Sequence, residues 1–242
     1  MSIYGYAKYL FRKFISFEQR RKIWSGNNFL TIVLLRFKKL MLKVAEHDEI
    51  YDNEYYNSVV DAPMLQSAPV ISDSIHQEFD PLTVIDVGCG TGALLMELQQ
   101  RGITGIGLEY STAALKYCQT RGLKVKKFDI ESYQAIDDVA DVCISTEVAE
   151  HLPATYANKY VDLLTKISDI VVMTAAPPGQ GGTDHVNEQP NEYWIEKFQQ
   201  RKFDFDSALT LKLRREWEAK NVFYWYYQNV MIFKKCLNHH HS

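Results

Sequence analysis

Three glycines within five residues close an apolar run at Val84-Ile85-Asp86-Val87-Gly88-Cys89-Gly90-Thr91-Gly92, and a helical pattern begins near Ala93. Glycine has no Cβ to hold a ligand off the main chain, and it tolerates positive φ. Gly88, Gly90 and Gly92 therefore suit a tight turn laid against a nucleoside cofactor. The spacing Gly88-x-Gly90-x-x-Ala93 also meets a loose dinucleotide fingerprint. A carboxylate at Asp86 would repel a pyrophosphate and suits instead the cationic amino group, or an ordered water, of a methionine-like moiety. Glu109 follows Asp86 by 23 residues, at the end of a second apolar run, where a carboxylate can accept hydrogen bonds from both ribose hydroxyls.

A second constellation lies at Thr146-Glu147-Val148-Ala149-Glu150-His151-Leu152-Pro153. In a helical turn, positions i, i+3 and i+4 share a face, so Glu147, Glu150 and His151 are expected to converge. Two like charges on one face call for a cation, and two carboxylates with an imidazole suit Mg²⁺, Mn²⁺, Fe²⁺ or Zn²⁺. The loop 177–185 ends in His185, which can return to the same edge as a fourth ligand. Three readings stand: a metal site, a metal-free site with His151 or His185 as base or substrate clamp, and a solvated helix turn. Tyr51, Tyr55 and Tyr56 are candidates for a lid, and Tyr193 and Trp194 for the acceptor wall, with core packing the alternative.

Positioning these groups needs strands that end on one edge of a sheet. From residue 82 onward short apolar runs alternate with amphipathic stretches, the pattern of a parallel sheet covered by helices. Strands are expected at 83–87, 105–108, 124–128, 139–145 and 170–174, and helices at 62–79, 92–101, 112–121, 155–167 and 191–200. Residues 202–221 read as a strand or loop and then a charged helix, and 222–227 with 230–233 as two closing antiparallel strands. At 242 residues, 46% hydrophobic and 24% charged, with 12 Gly and 7 Pro, the chain is excluded from collagen-like, disordered and low-complexity classes. Three segments are expected: a basic helical extension at 1–50, the sheet-bearing domain at 51–236, and a tail at 237–242 that reads as an appended tag or native ending.

The formal net charge of -3 hides an asymmetry, because residues 1–45 hold ten Lys/Arg against the single acid Glu18. Tyr4, Tyr6, Tyr9, Phe11, Phe14, Phe17 and Trp24 accompany them. Such a leader can lie on an anionic membrane, grip nucleic-acid phosphates, or pack on its own domain or a second copy in a homodimer. The acidic remainder argues against a broad nucleic-acid groove. The apolar stretch around residues 29–35 is far short of the roughly 20 residues of a membrane span. No secretory pattern opens the chain. Cys89, Cys118, Cys143 and Cys236 share no C-x-x-C spacing, so the expected setting is a reducing cytoplasm, with peripheral membrane contact through the leader as the variant.

The stretch 84–92 together with Gly107-Leu108-Glu109-Tyr110-Ser111 resembles the class I S-adenosylmethionine-dependent methyltransferases, over about residues 51–235. The resemblance implies a Rossmann-like α/β fold, with a seven-stranded, mostly parallel sheet whose last strand is reversed and helices on both faces. It implies S-adenosylmethionine as cofactor, with Gly88, Cys89, Gly90 and Gly92 forming its turn, Asp86 at the strand end, and Glu109 and Tyr110 at the ribose. Asp129 would meet the adenine amino group and Ile130 the ring, with Thr146 on the same edge. Glu147, Glu150, His151 and His185 further resemble the metal-dependent branch, which includes ubiquinone-pathway O-methyltransferases and small-RNA 3′-terminal 2′-O-methyltransferases. Residues 187–190 depart from that pattern. Residues 175–198 look like sugar and secondary-metabolite methyltransferases. The expected activity is O-methylation of a small-molecule or saccharide hydroxyl with a divalent cation such as Mg²⁺. RNA 2′-O-methylation, N-methylation and a non-catalytic cofactor-binding scaffold are the rivals.

Overall fold

β-branched and apolar residues fill the central strands of the protein, whose computed structural model describes residues 60–132 and 136–236. The leader at 1–50, the candidate lid tyrosines Tyr51, Tyr55 and Tyr56, and the tail at 237–242 lie outside the described residues. The elements run α1 (Ala62–Phe79), β1 (Thr83–Val87), α2 (Ala93–Gln100), β2 (Thr104–Glu109), α3 (Thr112–Thr120), β3 (Val125–Lys127) and β4 (Val142–Thr146). Two 3₁₀ turns, Ala149–His151 and Ala154–Tyr156, precede α4 (Ala157–Ile167). The chain continues through β5 (Ile170–Thr174), α5 (Asn191–Gln199), β6 (Phe203–Phe205), α6 (Ser207–Ala219), α7 (Tyr224–Asn229) and β7 (Met231–Lys235).

The seven strands stand in the order β3-β2-β1-β4-β5-β7-β6. The first five are parallel, whereas β7 runs antiparallel to both β5 and β6. The order reverses between β1 and β4, the switch point at which open α/β sheets leave a crevice beyond their strand ends.

Both sheet faces are covered, so the strands are apolar nearly throughout, and alternate residues feed opposite cores. Val84, Val142, Ile144 and Val172 pack with α1, α2, α6 and α7, while Ile85, Val87, Cys143, Val171 and Met173 pack with α4 and α5. Helix α4 shows how its sequence dictates this placement: Ala157, Tyr160, Val161, Leu164 and Ile167 are buried at helical spacing. In α1 the same spacing buries Met64, Ala68, Ile71 and Ile75. Each fully buried aliphatic side chain contributes about 1.5–3 kcal/mol.

The C-terminal section corrects the expected pair of closing strands. Residues 224–229 are helical, and β6 rather than 222–227 lies beside β7. The aromatic run 223–227 has strand-like composition but no alternation. Burial of Tyr226 in the α1/α2 core, with Phe223, Trp225 and Tyr227 packed against it, outweighs β propensity.

Candidate active site

The glycine turn closes β1. Gly88, Gly90 and Gly92 take φ of 75°, 54° and 77°, in the left-handed region that favours glycine. A Cβ on Gly92 would lie 2.4 Å from Leu123 Cδ1, so the turn is seated against the segment between α3 and β3 as tightly as a bare main chain allows. Gly88 N donates to Leu108 O at 2.7 Å and Gly90 N to Glu109 Oε2 at 2.9 Å, which stitches the turn to the end of β2. Beneath it, hydrogen bonding to Cys118, followed by burial, pushes the Cys89 thiol up.

Glu109 accepts from Ser111 N at 2.8 Å through its other oxygen, so backbone donors hold both oxygens and leave lone-pair capacity for a ligand hydroxyl. Burial raises its pKa, and the N–H groups of Ser111, Gly90 and Tyr110 oppose the rise. Asp86 is buried, and its Oδ1 has no hydrogen-bond partner. Burial, then the Glu109 charge, pushes its carboxyl up to about 7. An orphaned buried carboxylate beside a positive-φ glycine turn and a ribose-competent acid fits a cationic nucleoside such as S-adenosylmethionine. Asp129, past β3, accepts from Glu131 N at 2.8 Å in a local turn, Ile130 packs on the α4/α5 core, and Tyr110 is exposed with Lys127 Nζ 5.8 Å from its ring centroid. Thr146 ends β4, half-buried.

Beyond β4 the expected helical turn does not form as drawn. Glu147 takes φ of 52°, and its N–H donates to Thr174 Oγ1 at 2.9 Å, so the chain kinks before the 3₁₀ turn that carries Glu150 and His151. The groups that gather are Glu150, His151 and His185, with one ligand atom from each within 4.8 Å of the others. Glu147 stays beside Glu150, but its oxygens are engaged elsewhere: Gln180 Nε2 donates to its Oε2 at 2.7 Å and Asn229 Nδ2 to its Oε1 at 3.1 Å. Loop 177–185 returns to the edge because Val186 N and Asn187 N both donate to Glu150 O, at 2.8 and 3.1 Å. The His151 and His185 rings meet edge to face, 5.0 Å between centroids.

Glu150 is fully buried, and neither of its oxygens has a hydrogen-bond partner. Burial first, and the neighbouring Glu147 charge second, raise its pKa well above the usual carboxylate range. A buried carboxyl without donors, flanked by two imidazoles, is a donor set that a divalent cation fits. Trp194, a candidate for the acceptor wall, is instead core: it is buried against Tyr160, 6.1 Å between centroids. Tyr193 stays half-buried beside it, with Lys197 Nζ 4.6 Å from its ring centroid.

Several residues that shape the site carry weak sequence signals. Asp61, at the start of α1, receives Arg121 Nη1 at 2.9 Å and Nη2 at 2.8 Å, together with Thr91 Oγ1 at 2.5 Å. Arg121 also donates to Thr91 O at 2.9 Å, so this pair clamps the glycine turn from outside. An Asp two residues before Pro63 reads as a helix cap, yet its side chain caps nothing because the turn has claimed it. Gln180 and Asn229 stand 33 and 82 residues from Glu147, and no local pattern announces them.

With this geometry in place, comparison with known proteins identifies the sheet. Residues 85–170 match the family model described as "Methyltransferase domain". That match covers little more than a third of the chain. The chain is 32% identical over 103 residues to the ubiquinone biosynthesis O-methyltransferase of Leptothrix cholodnii, a match covering 38% of this chain and 43% of that protein. The chain thus spans under half the length of that curated relative. Among solved structures it is similar to the magnesium protoporphyrin IX methyltransferase ChlM of Synechocystis PCC 6803 with bound SAH, at TM-score 0.56, 15% identity, and 78% and 92% coverage of the two chains. It is also similar to the sugar N-methyltransferase KedS8 of Streptoalloteichus, at TM-score 0.58, 11% identity, and 76% and 92% coverage. The sheet and its helices therefore share the Rossmann-like fold of these solved structures. No helix among the described residues is long and apolar enough to cross a membrane.

Proposed function

We propose that this protein is an S-adenosylmethionine-dependent O-methyltransferase that acts on a hydroxyl of a small molecule or saccharide, with a divalent cation held by Glu150, His151 and His185. The observation that carries the reading is the convergence of those three groups at the carboxyl ends of β4 and β5, on the edge where the β1 glycine turn and Glu109 also end. Bound S-adenosylmethionine supplies an electrophilic methyl group on a sulfonium.

The chain's own residues do the rest. The glycine turn and Glu109 hold the adenosyl end, and Asp86 accepts from the amino group through its unpartnered oxygen. Without a bound cation, His151 or His185 is free to take the proton of the acceptor hydroxyl, and such a positioned base is worth roughly 10²–10⁴-fold in rate. A cation beside Glu150 favours its ionised form, offsetting the burial that otherwise keeps it protonated, and lowers the cost of removing the hydroxyl proton. Glu147, locked by Gln180 and Asn229, fixes the loop that closes the site and is not assigned as a ligand. The match to an O-methyltransferase favours oxygen as acceptor.

The test is a methyl-transfer screen over hydroxylated metabolites, sugars, amines and short RNAs, run with and without chelator. Transfer to a hydroxyl that stops on chelation and returns with Mg²⁺ or Mn²⁺ is expected. Full activity in excess chelator removes the cation, and transfer to amines or RNA alone overturns the acceptor class. Absence of calorimetric binding by S-adenosylmethionine and S-adenosylhomocysteine overturns the whole reading.

A further inference from the structure

We propose that Glu188 is the positioning residue of His185. Its carboxylate sets the imidazole as the Nδ1–H tautomer, turns the Nε2 lone pair to the site, and fastens the loop that carries the ring. This role rests on the function given above to His185 and deepens it.

Three donors meet this one carboxylate. Gly179 N donates to Oε2 at 2.8 Å, Gly181 N to Oε1 at 2.7 Å, and His185 Nδ1 lies 3.0 Å from Oε1. An ionised carboxylate only accepts, so the ring nitrogen facing it must carry the proton, and the lone pair of a neutral ring is then on Nε2. The contact is well shielded, with the side chains of His185 and Glu188 only 11% and 20% exposed. Gly179 and Gly181 reach the carboxylate with φ of 94° and 71°, a loop path that turns both N–H groups toward Glu188.

Two further restraints seat the ring. A Cβ at Gly182 would lie 2.2 Å from His185 Nε2, so the imidazole packs directly on a residue that has no side chain. Val186 N and Asn187 N are tied to Glu150 O, which fixes the height of the ring at the edge, while Glu188 fixes its rotation. An imidazole whose second nitrogen is held by a carboxylate is more basic and better oriented at the first, whether that nitrogen takes a proton or binds a cation.

The experiment is long-range ¹H–¹⁵N NMR of the full chain with labelled histidine, at a pH where the ring is neutral, with His185 assigned by its loss in His185→Gln. The wild-type ring is expected as the Nδ1–H tautomer, with Glu188→Gln shifting it toward Nε2–H. Methyl transfer by Glu188→Gln should fall by roughly 10–100-fold in kcat, with KM for the donor unchanged. A wild-type Nε2–H ring overturns the proposal even if the variant fails to fold. A Glu188→Gln protein that keeps both the Nδ1–H ring and full kcat overturns it as well. An Nδ1–H ring in a wild-type protein that methylates no acceptor sinks the function proposed above and leaves the positioning role standing.

Discussion

Replacing Asp86 with Asn should make the protein less sensitive to rising pH. The Asp86 carboxyl is 2% exposed, one oxygen lacks a partner, and burial with the Glu109 charge moves its pKa from 3.8 to about 7. Between those values the folded protein keeps a proton that the unfolded chain has released, so each pH unit of rise lowers stability by about 1.4 kcal/mol. The contribution is fully present below 3.8 and is lost as pH climbs to about 7, a total of roughly 4 kcal/mol. Asn cannot ionise. Its amide needs an acceptor, and leaving that donor unpaired costs about 1–3 kcal/mol at every pH. The comparison therefore lies between two pH values in each protein, which cancels that constant. Urea unfolding near pH 5 and near pH 8 should show wild type losing roughly 3 kcal/mol more than Asp86→Asn over the interval. Parallel losses in the two proteins would mean that Asp86 is already ionised in the folded state, and the orphaned-carboxyl account would fail. If that carboxyl receives the donor's amino group, the variant should also bind S-adenosylhomocysteine more weakly by calorimetry.

Removing the clamp on the glycine turn should be costly. Arg121→Ala strands Asp61, whose side chain is 10% exposed, and loss of one partner of a buried pair costs about 3 kcal/mol or more. Scanning calorimetry should show the midpoint falling by roughly 6 °C or more, and an unchanged midpoint would mean that the pair does not hold the turn. Gly92→Ala places a methyl 2.4 Å from Leu123 Cδ1 and 3.0 Å from Cys118 Sγ, whereas Gly102→Ala, at a similar φ of 79°, meets nothing within 4 Å. Both variants suffer about 1–2 kcal/mol of left-handed backbone strain, but only Gly92→Ala should lose about 1–3 kcal/mol more from crowding in urea unfolding. Equal losses would refute the tight seat of the turn.

The parallel half of the sheet was legible because its signals are local. Residues 83–87 and 170–174 are mainly apolar, β-branched runs bounded by turns, and the strands fall on those residues. The glycine turn and Glu109 followed from the same logic, since residue types at a strand end carry their chemistry with them. Legibility failed where a distant contact decides. The helix at 224–229 exists because Tyr226 is buried among residues of α1 and α2, which no window of aromatic sequence reveals. The spacing at Glu147 suggests a regular helical turn, but Thr174 on the next strand captures its N–H and kinks the chain before Glu150. Trp194 looked available to a ligand at the start of a helix, and Tyr160 from the preceding helix covers it. Glu188 was visible only as an acid three residues after His185 in a loop that departs from the family pattern.

Asn229 bridges Glu147 and Gln180 from the residue pair just before β7, with its amide donating at 3.1 Å to one and at 2.8 Å to the other. A ribosome delivers the glycine turn before it delivers this asparagine. The nascent chain can thus close the glycine turn on β2 while Glu147 and the loop that carries Gln180 still wait for the amide that ties them together.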